Sequence, residues 1–122
     1  MNRETRDRAD AIIFAVCAEW DIPVSFLLSK DTRDARTVKV RWTACAALKK
    51  WLPLTTIAIG NLIARDHSTV VHALKQGARM PWMLEKLEAV ARRIPFAMTA
   101  IKPLDTPYGL ELYGDKGMID VY

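Results

Sequence analysis

Prolines divide the first 95 residues into segments, and within each segment apolar residues recur at a spacing of three or four. The prolines in question are Pro23, Pro53, Pro81 and Pro95. This spacing places apolar side chains on one face of an α-helix, and proline is tolerated in a helix only in its first turn. The pattern therefore predicts an all-α domain of five to six helices. We expect helices over 4–20, 23–28, 36–51, 54–64, 67–79 and 82–93.

The same spacing identifies the side chains that should form the core. Because the apolar stripe of one helix must pack against another helix, these residues are expected to share one buried interior. Cys17 and Cys45 lie in apolar helical segments, and we expect both to be buried free thiols. The predicted core consists of Ala9, Ile12, Ile13, Val16, Cys17, Trp20, Val40, Ala44, Ala47, Leu48, Trp51, Ile57, Ile59, Ile63, Val70, Ala73, Leu74, Gly77, Leu84, Leu87, Val90 and Ala91.

Residues 96–122 differ from the helical segments. Two prolines interrupt the first half of this stretch, and apolar residues alternate with polar ones on both sides of Gly114–Gly117. Alternation of this kind predicts a small β-hairpin. Because an isolated hairpin is marginally stable in water, a disordered tail remains the alternative. We therefore expect a helical domain over residues 1–95, followed by a separate tail.

Several functional classes are disfavoured by the sequence. The longest apolar stretches are too short to cross a membrane and the charged N-terminus does not resemble a signal peptide, so we expect a cytoplasmic protein. His67 and His72 are five residues apart, on different faces of a helix, with no cysteine pair nearby. We therefore expect no metal site and no cofactor. No nucleophile or carboxylate set accompanies the histidines, so we do not expect an enzyme.

Positive charge is concentrated in the middle of the chain. Residues 30–79 contain ten Lys or Arg and three Asp, a net charge of +7, whereas the remainder has a net charge of −3. A basic central segment is expected of a protein that binds a polyanion such as nucleic acid. The alternative is a chance excess of positive charge on solvated helix faces.

Residues 54–79 are predicted to form a helix, a short turn at Arg65-Asp66 and a second helix, which is the helix-turn-helix arrangement. In that arrangement the second helix lies in the DNA major groove and its first residues meet base edges. We expect Asp66 to cap this helix by accepting backbone N–H groups with its carboxylate. The face opposite the apolar stripe either contacts DNA or simply faces solvent; it carries Ser68, His72, Lys75 and Arg79.

A specific resemblance lies in this segment. Residues 65–73 read Arg-Asp-His-Ser-Thr-Val-Val-His-Ala. They resemble the Arg-Asp-His-(Ser/Thr)-Thr-Val-x-His-Ala signature of domain IV, the C-terminal DNA-binding domain of the bacterial replication initiator DnaA. The preceding Ile59-Gly60 and the upstream Leu27-Leu28-Ser29-Lys30 also resemble that family, and the resemblance extends over about residues 8–93. It implies a Trp-repressor-like helix-turn-helix fold that binds double-stranded DNA.

The resemblance also implies roles for individual residues. Base contacts are implied for Asp66, His67, Ser68 and His72. Phosphate contacts are implied for Arg41, Arg65 and Thr69. Lys30 and Lys75 are added as candidate phosphate contacts because they are positively charged. The segment 30–39 corresponds to the family's basic loop, which makes Arg33 and Arg36 candidates for the adjacent minor groove.

The sequence departs from the family in two respects. The segment 60–65 is one residue shorter than the family's turn and lacks its glycine pair, and no Gly-x-x-x-x-Gly-Lys-Ser/Thr nucleotide-binding motif is present. We therefore expect a freestanding, nucleoid-associated DNA-binding protein that regulates transcription or replication and binds no nucleotide. The alternative is a protein-interaction module or inhibitor, in which the helix-turn-helix is a scaffold and residues 103–122 bind a partner protein or a second copy.

Overall fold

The computed structural model describes residues 1–30 and 34–94, and within them the chain forms six α-helices. They are α1 (Arg3–Trp20), α2 (Val24–Leu28), α3 (Ala35–Trp51), α4 (Thr56–Leu62), α5 (His67–Gly77) and α6 (Met83–Arg92). The predicted all-α fold is confirmed, and the ends of each helix lie within two residues of the expected positions. The predicted hairpin lies outside the described residues.

Short polar side chains begin three of the helices. Asn2 accepts a hydrogen bond from the Thr5 backbone N–H at 2.8 Å at the start of α1. Thr55 accepts from the Ala58 N–H at 3.1 Å at the start of α4. Such caps satisfy backbone donors that have no partner within the helix. The local sequence therefore determines where these helices begin.

Asp34 caps α3 in the same way and accepts two hydrogen bonds from Thr37. Its carboxylate accepts from the Thr37 backbone N–H at 3.3 Å and from the Thr37 hydroxyl at 2.6 Å. These hydrogen bonds stabilise the ionised form and lower the pKa of Asp34 below its usual value, and the bond from the Thr37 hydroxyl is the largest cause. The ionised carboxylate then also interacts favourably with the positive end of α3.

The long helix α3 lies at the centre of the fold. It packs against α5 and α1 most extensively, and also against α2, α4 and α6. Ten of its seventeen residues are buried, including the fully buried Val40, Ala44 and Leu48. Most of the predicted core residues are buried as expected, including Ile12, Ile59 and Val70.

Two predicted core residues are exposed. Ile57 is 62% exposed, because it lies two residues before the buried Ile59, or about 200° around a helix of 3.6 residues per turn. Leu84 is 52% exposed, and the buried position at the start of α6 is taken by Met83. Met83 lies one turn before Leu87 on the buried face, whereas Leu84 lies at the edge of that face. Both predictions were therefore wrong.

Tryptophans close the side of the core between α1, α3 and α6. Trp20, which was predicted to be in the core, is half-buried, and its indole N–H donates to the Thr43 hydroxyl at 3.1 Å. Its ring meets the Trp82 ring edge-on, with centroids 5.5 Å apart. The ammonium group of Lys86 lies 4.5 Å above the Trp20 ring, an arrangement that attracts a cation to the aromatic face.

Candidate nucleic-acid interface

The two helices of the predicted helix-turn-helix, α4 and α5, are joined by a tight turn. The Arg65 N–H donates to the Gly60 carbonyl at 2.8 Å, and a Cβ on Gly60 would lie only 2.5 Å from the Arg65 carbonyl oxygen. Glycine at position 60 therefore allows the turn to fold back against α4. Ala64 has a φ of 56°, in the left-handed region that favours glycine. The turn thus uses a left-handed residue even though it lacks the glycine pair.

Helix α5 has one buried face and one exposed face, as predicted. Val70, Ala73, Leu74 and Gly77 are buried. On the opposite side of α5, Ser68, His72 and Lys75 are exposed. Arg79, which was predicted to share this face, is also exposed but follows the end of α5. The apolar stripe anchors α5 on α3 and α4, and the polar side chains are left on an accessible surface.

The start of α5 differs from the prediction in one hydrogen bond. Asp66 occupies the N-cap position, but within residues 34–94 its carboxylate accepts the Ser68 hydroxyl instead of making the expected cap to a backbone N–H. This Ser68 hydrogen bond is the main cause of a lowered pKa for Asp66. His67 Nδ1 lies 3.7 Å from the same carboxylate. Three of the predicted base-contacting side chains are therefore exposed neighbours in space.

A cavity of about 770 Å³ adjoins the start of α5. Its walls come from the segment after α2, from α3, from α4 and the α4–α5 turn, and from the first turn of α5. The lining includes four of the predicted phosphate-contacting residues and one predicted base-contacting residue. The lining residues are Lys30, Val38, Arg41, Gly60, Asn61, Ala64, Arg65, Asp66 and Thr69. These described lining residues include three cations and one carboxylate, so the lining is positively charged and suits an anion such as a phosphate group.

The basic residues of the cavity are held in different ways. Arg41 is 9% exposed and lies on α3, Arg65 is half-buried, and Lys30 is exposed. The Arg65 guanidinium donates to three backbone carbonyls, those of Leu28 at 3.4 Å, Ser29 at 2.5 Å and Ala64 at 3.0 Å. Arg65 therefore connects the end of α2 to the α4–α5 turn.

Of the two predicted minor-groove residues, the structure describes Arg36. Arg33 lies outside the described residues. Arg36 is exposed, and its guanidinium donates to the backbone carbonyls of Trp20 and, at 2.9 Å, Asp21. Asp21 ends α1 in the left-handed conformation with φ 55°. Arg36 thus caps the C-terminal end of α1, where the helix carbonyls favour a cation.

Trp42 belongs to this surface although the sequence analysis did not identify it. Its ring meets the His72 ring edge-on, with centroids 6.1 Å apart. Trp42 is half-buried on α3, and its Cβ lies 3.6 Å from where a Cβ of Gly77 would be. The indole therefore packs along α5 and supports the exposed imidazole. Helical periodicity carries no signal for this contact, since Trp42 and His72 belong to different helices.

Both cysteines are buried free thiols, as predicted. Burial raises the pKa of Cys45 to about 12, and the nearby charges of Arg41 and Arg65 oppose this increase. Burial also raises the pKa of Cys17 to about 11. Both thiols therefore stay protonated at neutral pH, which makes them poor nucleophiles and poor metal ligands.

In residues 1–30 and 34–94, no three His, Cys, Asp or Glu side chains come together as a metal site would need. No helix in this part of the chain is long and apolar enough to span a membrane.

Comparison with known proteins identifies the family. The family model described as bacterial DnaA protein helix-turn-helix matches residues 9–76, more than half of the chain. The chain belongs to this DnaA helix-turn-helix family. The match contains α2 to α4 and all of α5 except its last residue, so it includes the candidate interface. The family is a DNA-binding domain and is not catalytic.

A full-length relative gives the same result. The chromosomal replication initiator protein DnaA of Mycoplasma pneumoniae is 36% identical over 69 residues, which cover 57% of this chain. The chain spans 16% of the length of that relative. No solved structure matches the chain.

Proposed function

We propose that this DnaA-family protein binds double-stranded DNA in a sequence-specific manner, with α5 in the major groove. The observation that carries the proposal is the continuity of the exposed face of α5 with the positively charged cavity at its start. Major-groove recognition needs both features, because base edges specify the sequence and phosphate contacts fix the register. Asp66, His67, Ser68 and His72 are the proposed base-contacting residues.

The proposed phosphate contacts lie around the same end of α5. Lys30, Arg41 and Thr69 line the cavity. Lys75 lies further along the exposed face, where it can reach the neighbouring backbone. Helix N-termini and hydroxyl groups add to such contacts because they offer N–H and O–H donors to phosphate oxygens. We retain Arg33 and Arg36 as the candidates for the minor groove beside this site.

We further propose that the protein acts on the nucleoid as a regulator of transcription or replication. Its family membership supports this role. A DnaA-type binding site is the first sequence to test, since the base-facing residues resemble the family signature.

Selection of bound sites from a pool of random duplexes tests the proposal. We expect enrichment of one short sequence motif by the full chain. Recovery of all sequences without enrichment would contradict sequence-specific binding, and absence of any retained duplex would contradict DNA binding altogether. The second result would favour a protein-interaction module instead.

A further inference from the structure

Arg65 is engaged by the protein before any ligand is present. Three of its guanidinium N–H bonds are directed at the backbone carbonyls of Leu28, Ser29 and Ala64. A guanidinium has five N–H donors in a fixed planar fork. Most of the hydrogen-bonding capacity of Arg65 is therefore used within the protein, although backbone carbonyls leave its positive charge in place.

The main chain of Arg65 is fixed as well. Its N–H donates to the Gly60 carbonyl, and its own carbonyl packs where a Gly60 side chain would lie. The next residue, Asp66, is the N-cap of α5. Arg65 thus connects the start of α5 to α4 through its backbone and to the end of α2 through its side chain.

The segment held by the Arg65 side chain leads directly to a proposed phosphate contact. Lys30 follows Ser29 in the chain and lines the same cavity as Asp66 and Thr69. The Ser29–Arg65 hydrogen bond joins these two walls of the cavity, and the two residues are 36 positions apart in sequence. The guanidinium of Arg65 supplies the described side-chain hydrogen bonds between them.

We propose that Arg65 is a positioning residue for DNA recognition, and that it is not one of the phosphate-binding groups. By holding Leu28 and Ser29 against the α4–α5 turn, it places Lys30 so that Lys30 and the first turn of α5 contact the same duplex. Lysine cannot replace arginine in this role, since an ammonium lacks the planar fork that bridges separate carbonyls. The inference rests on the proposed DNA-binding function.

Substitutions that separate charge from geometry test this role. Arg65→Lys retains the charge, and Arg65→Met retains much of the half-buried stem without charge. We expect both variants to bind the selected site at least tenfold more weakly, with a smaller loss on unrelated duplexes, at a temperature where circular dichroism shows them folded. The slope of log affinity against log salt should be unchanged in Arg65→Lys.

Coupling to Lys30 provides the matched control. The loss caused by Arg65→Lys should be smaller in a Lys30→Ala background than in the wild type, because Arg65 acts partly through Lys30 and partly through the start of α5. If Arg65 binds phosphate directly, Arg65→Lys should bind nearly as well as the wild type, and Arg65→Met should reduce the salt slope by about 0.9 on every duplex. That result would overturn the inference, and so would wild-type specificity in both folded variants.

The wild-type protein offers a measurement that does not depend on variant stability. Nitrogen NMR of the Arg65 guanidinium should show hindered rotation in the free protein, and the same hindrance after the selected duplex is added. Hindrance that arises only with DNA would overturn the inference. Failure of the wild type to bind any duplex would instead reject the proposed function, so the two failures are distinguishable.

Discussion

Single side chains at the start of α5 and across the adjoining cavity are proposed to have two different roles, base reading and phosphate binding. Asp66, His67 and Ser68 form an exposed cluster in which the Ser68 hydroxyl donates to the Asp66 carboxylate. Lys30 lines the adjoining cavity and is a proposed phosphate contact. The two groups should therefore respond differently to truncation.

We expect Ser68→Ala and His67→Ala to weaken binding to the selected site by about 1–3 kcal/mol, with little change on unrelated duplexes. Each removes a polar group that we propose meets a base edge. Lys30→Ala is the control and should weaken binding to all duplexes by a similar factor, because phosphate contacts carry no sequence information. Titration of each variant with matched and scrambled duplexes measures this. An equal loss on both duplexes for Ser68→Ala would contradict its proposed role.

The buried thiols lead to a second prediction at this scale. Because burial raises the pKa of Cys17 to about 11 and of Cys45 to about 12, the native protein should react with iodoacetamide at about pH 8 far more slowly than the unfolded chain does. Mass spectrometry of the alkylated protein, with and without denaturant, measures the difference. Rapid labelling of the native protein would show that these helices open readily.

The same pKa values determine a pH dependence of stability. In the unfolded chain each thiol ionises near its usual value of 9.0, whereas in the folded protein it ionises only at about 11 or 12. The stabilising contribution is therefore fully present below pH 9.0 and is lost as the pH rises towards those folded values. A Cys17→Ala, Cys45→Ala double variant should lose less stability over that pH range.

At the scale of the helix-turn-helix, the turn depends on two small residues, one constrained by the space around it and the other by its backbone conformation. Gly60 has no room for a side chain because the Arg65 carbonyl lies against it. Ala64 has room, but its φ of 56° is unfavourable for any residue with a Cβ. The same turn therefore needs glycine at the first position and would accept it at the second.

We expect Gly60→Ala to lower the free energy of unfolding by about 1–3 kcal/mol, because the turn must move away from α4. Ala64→Gly should leave it unchanged or raise it by up to about 1 kcal/mol, since relief of the left-handed strain offsets the added freedom of the unfolded chain. Urea denaturation of both variants measures these changes. Ala64→Val is the matched control and should be destabilised, so equal stability of Ala64→Gly and Ala64→Val would contradict this account.

At the scale of the whole molecule, charge is distributed unevenly. The described salt bridges between helices join α1 to α6, where Glu19 contacts Arg93 at 2.8 Å and Lys86 at 3.9 Å. Among the described residues that line the cavity, three are cationic and one, Asp66, is a carboxylate. The described lining of the cavity beside α5 therefore carries a net positive charge.

This distribution predicts a strong dependence of binding on salt. If roughly four to five phosphates are neutralised, log affinity should fall against log salt with a slope near −4 to −5. Fluorescence anisotropy of a labelled duplex over a series of salt concentrations measures the slope. A flat response would contradict the proposed interface and favour protein–protein interaction.

The helices, the buried face of α5 and the family signature could be predicted from the amino-acid sequence alone. Helix periodicity and capping are local, because they depend on residues three or four apart and on backbone N–H groups within one turn. Val70, Ala73 and Leu74 could therefore be assigned to the core from spacing alone. The roles in DNA binding came from the signature and remain predictions.

Contacts between distant residues depend instead on the packing of the helices. It exposed Ile57 and Leu84, because the packing of each helix selects a single buried face. It placed Trp42 against His72, and it directed the Arg65 guanidinium to the end of α2. These contacts join residues 30 or more positions apart, so they depend on how the helices pack around α3, and no local pattern in the chain encodes that packing.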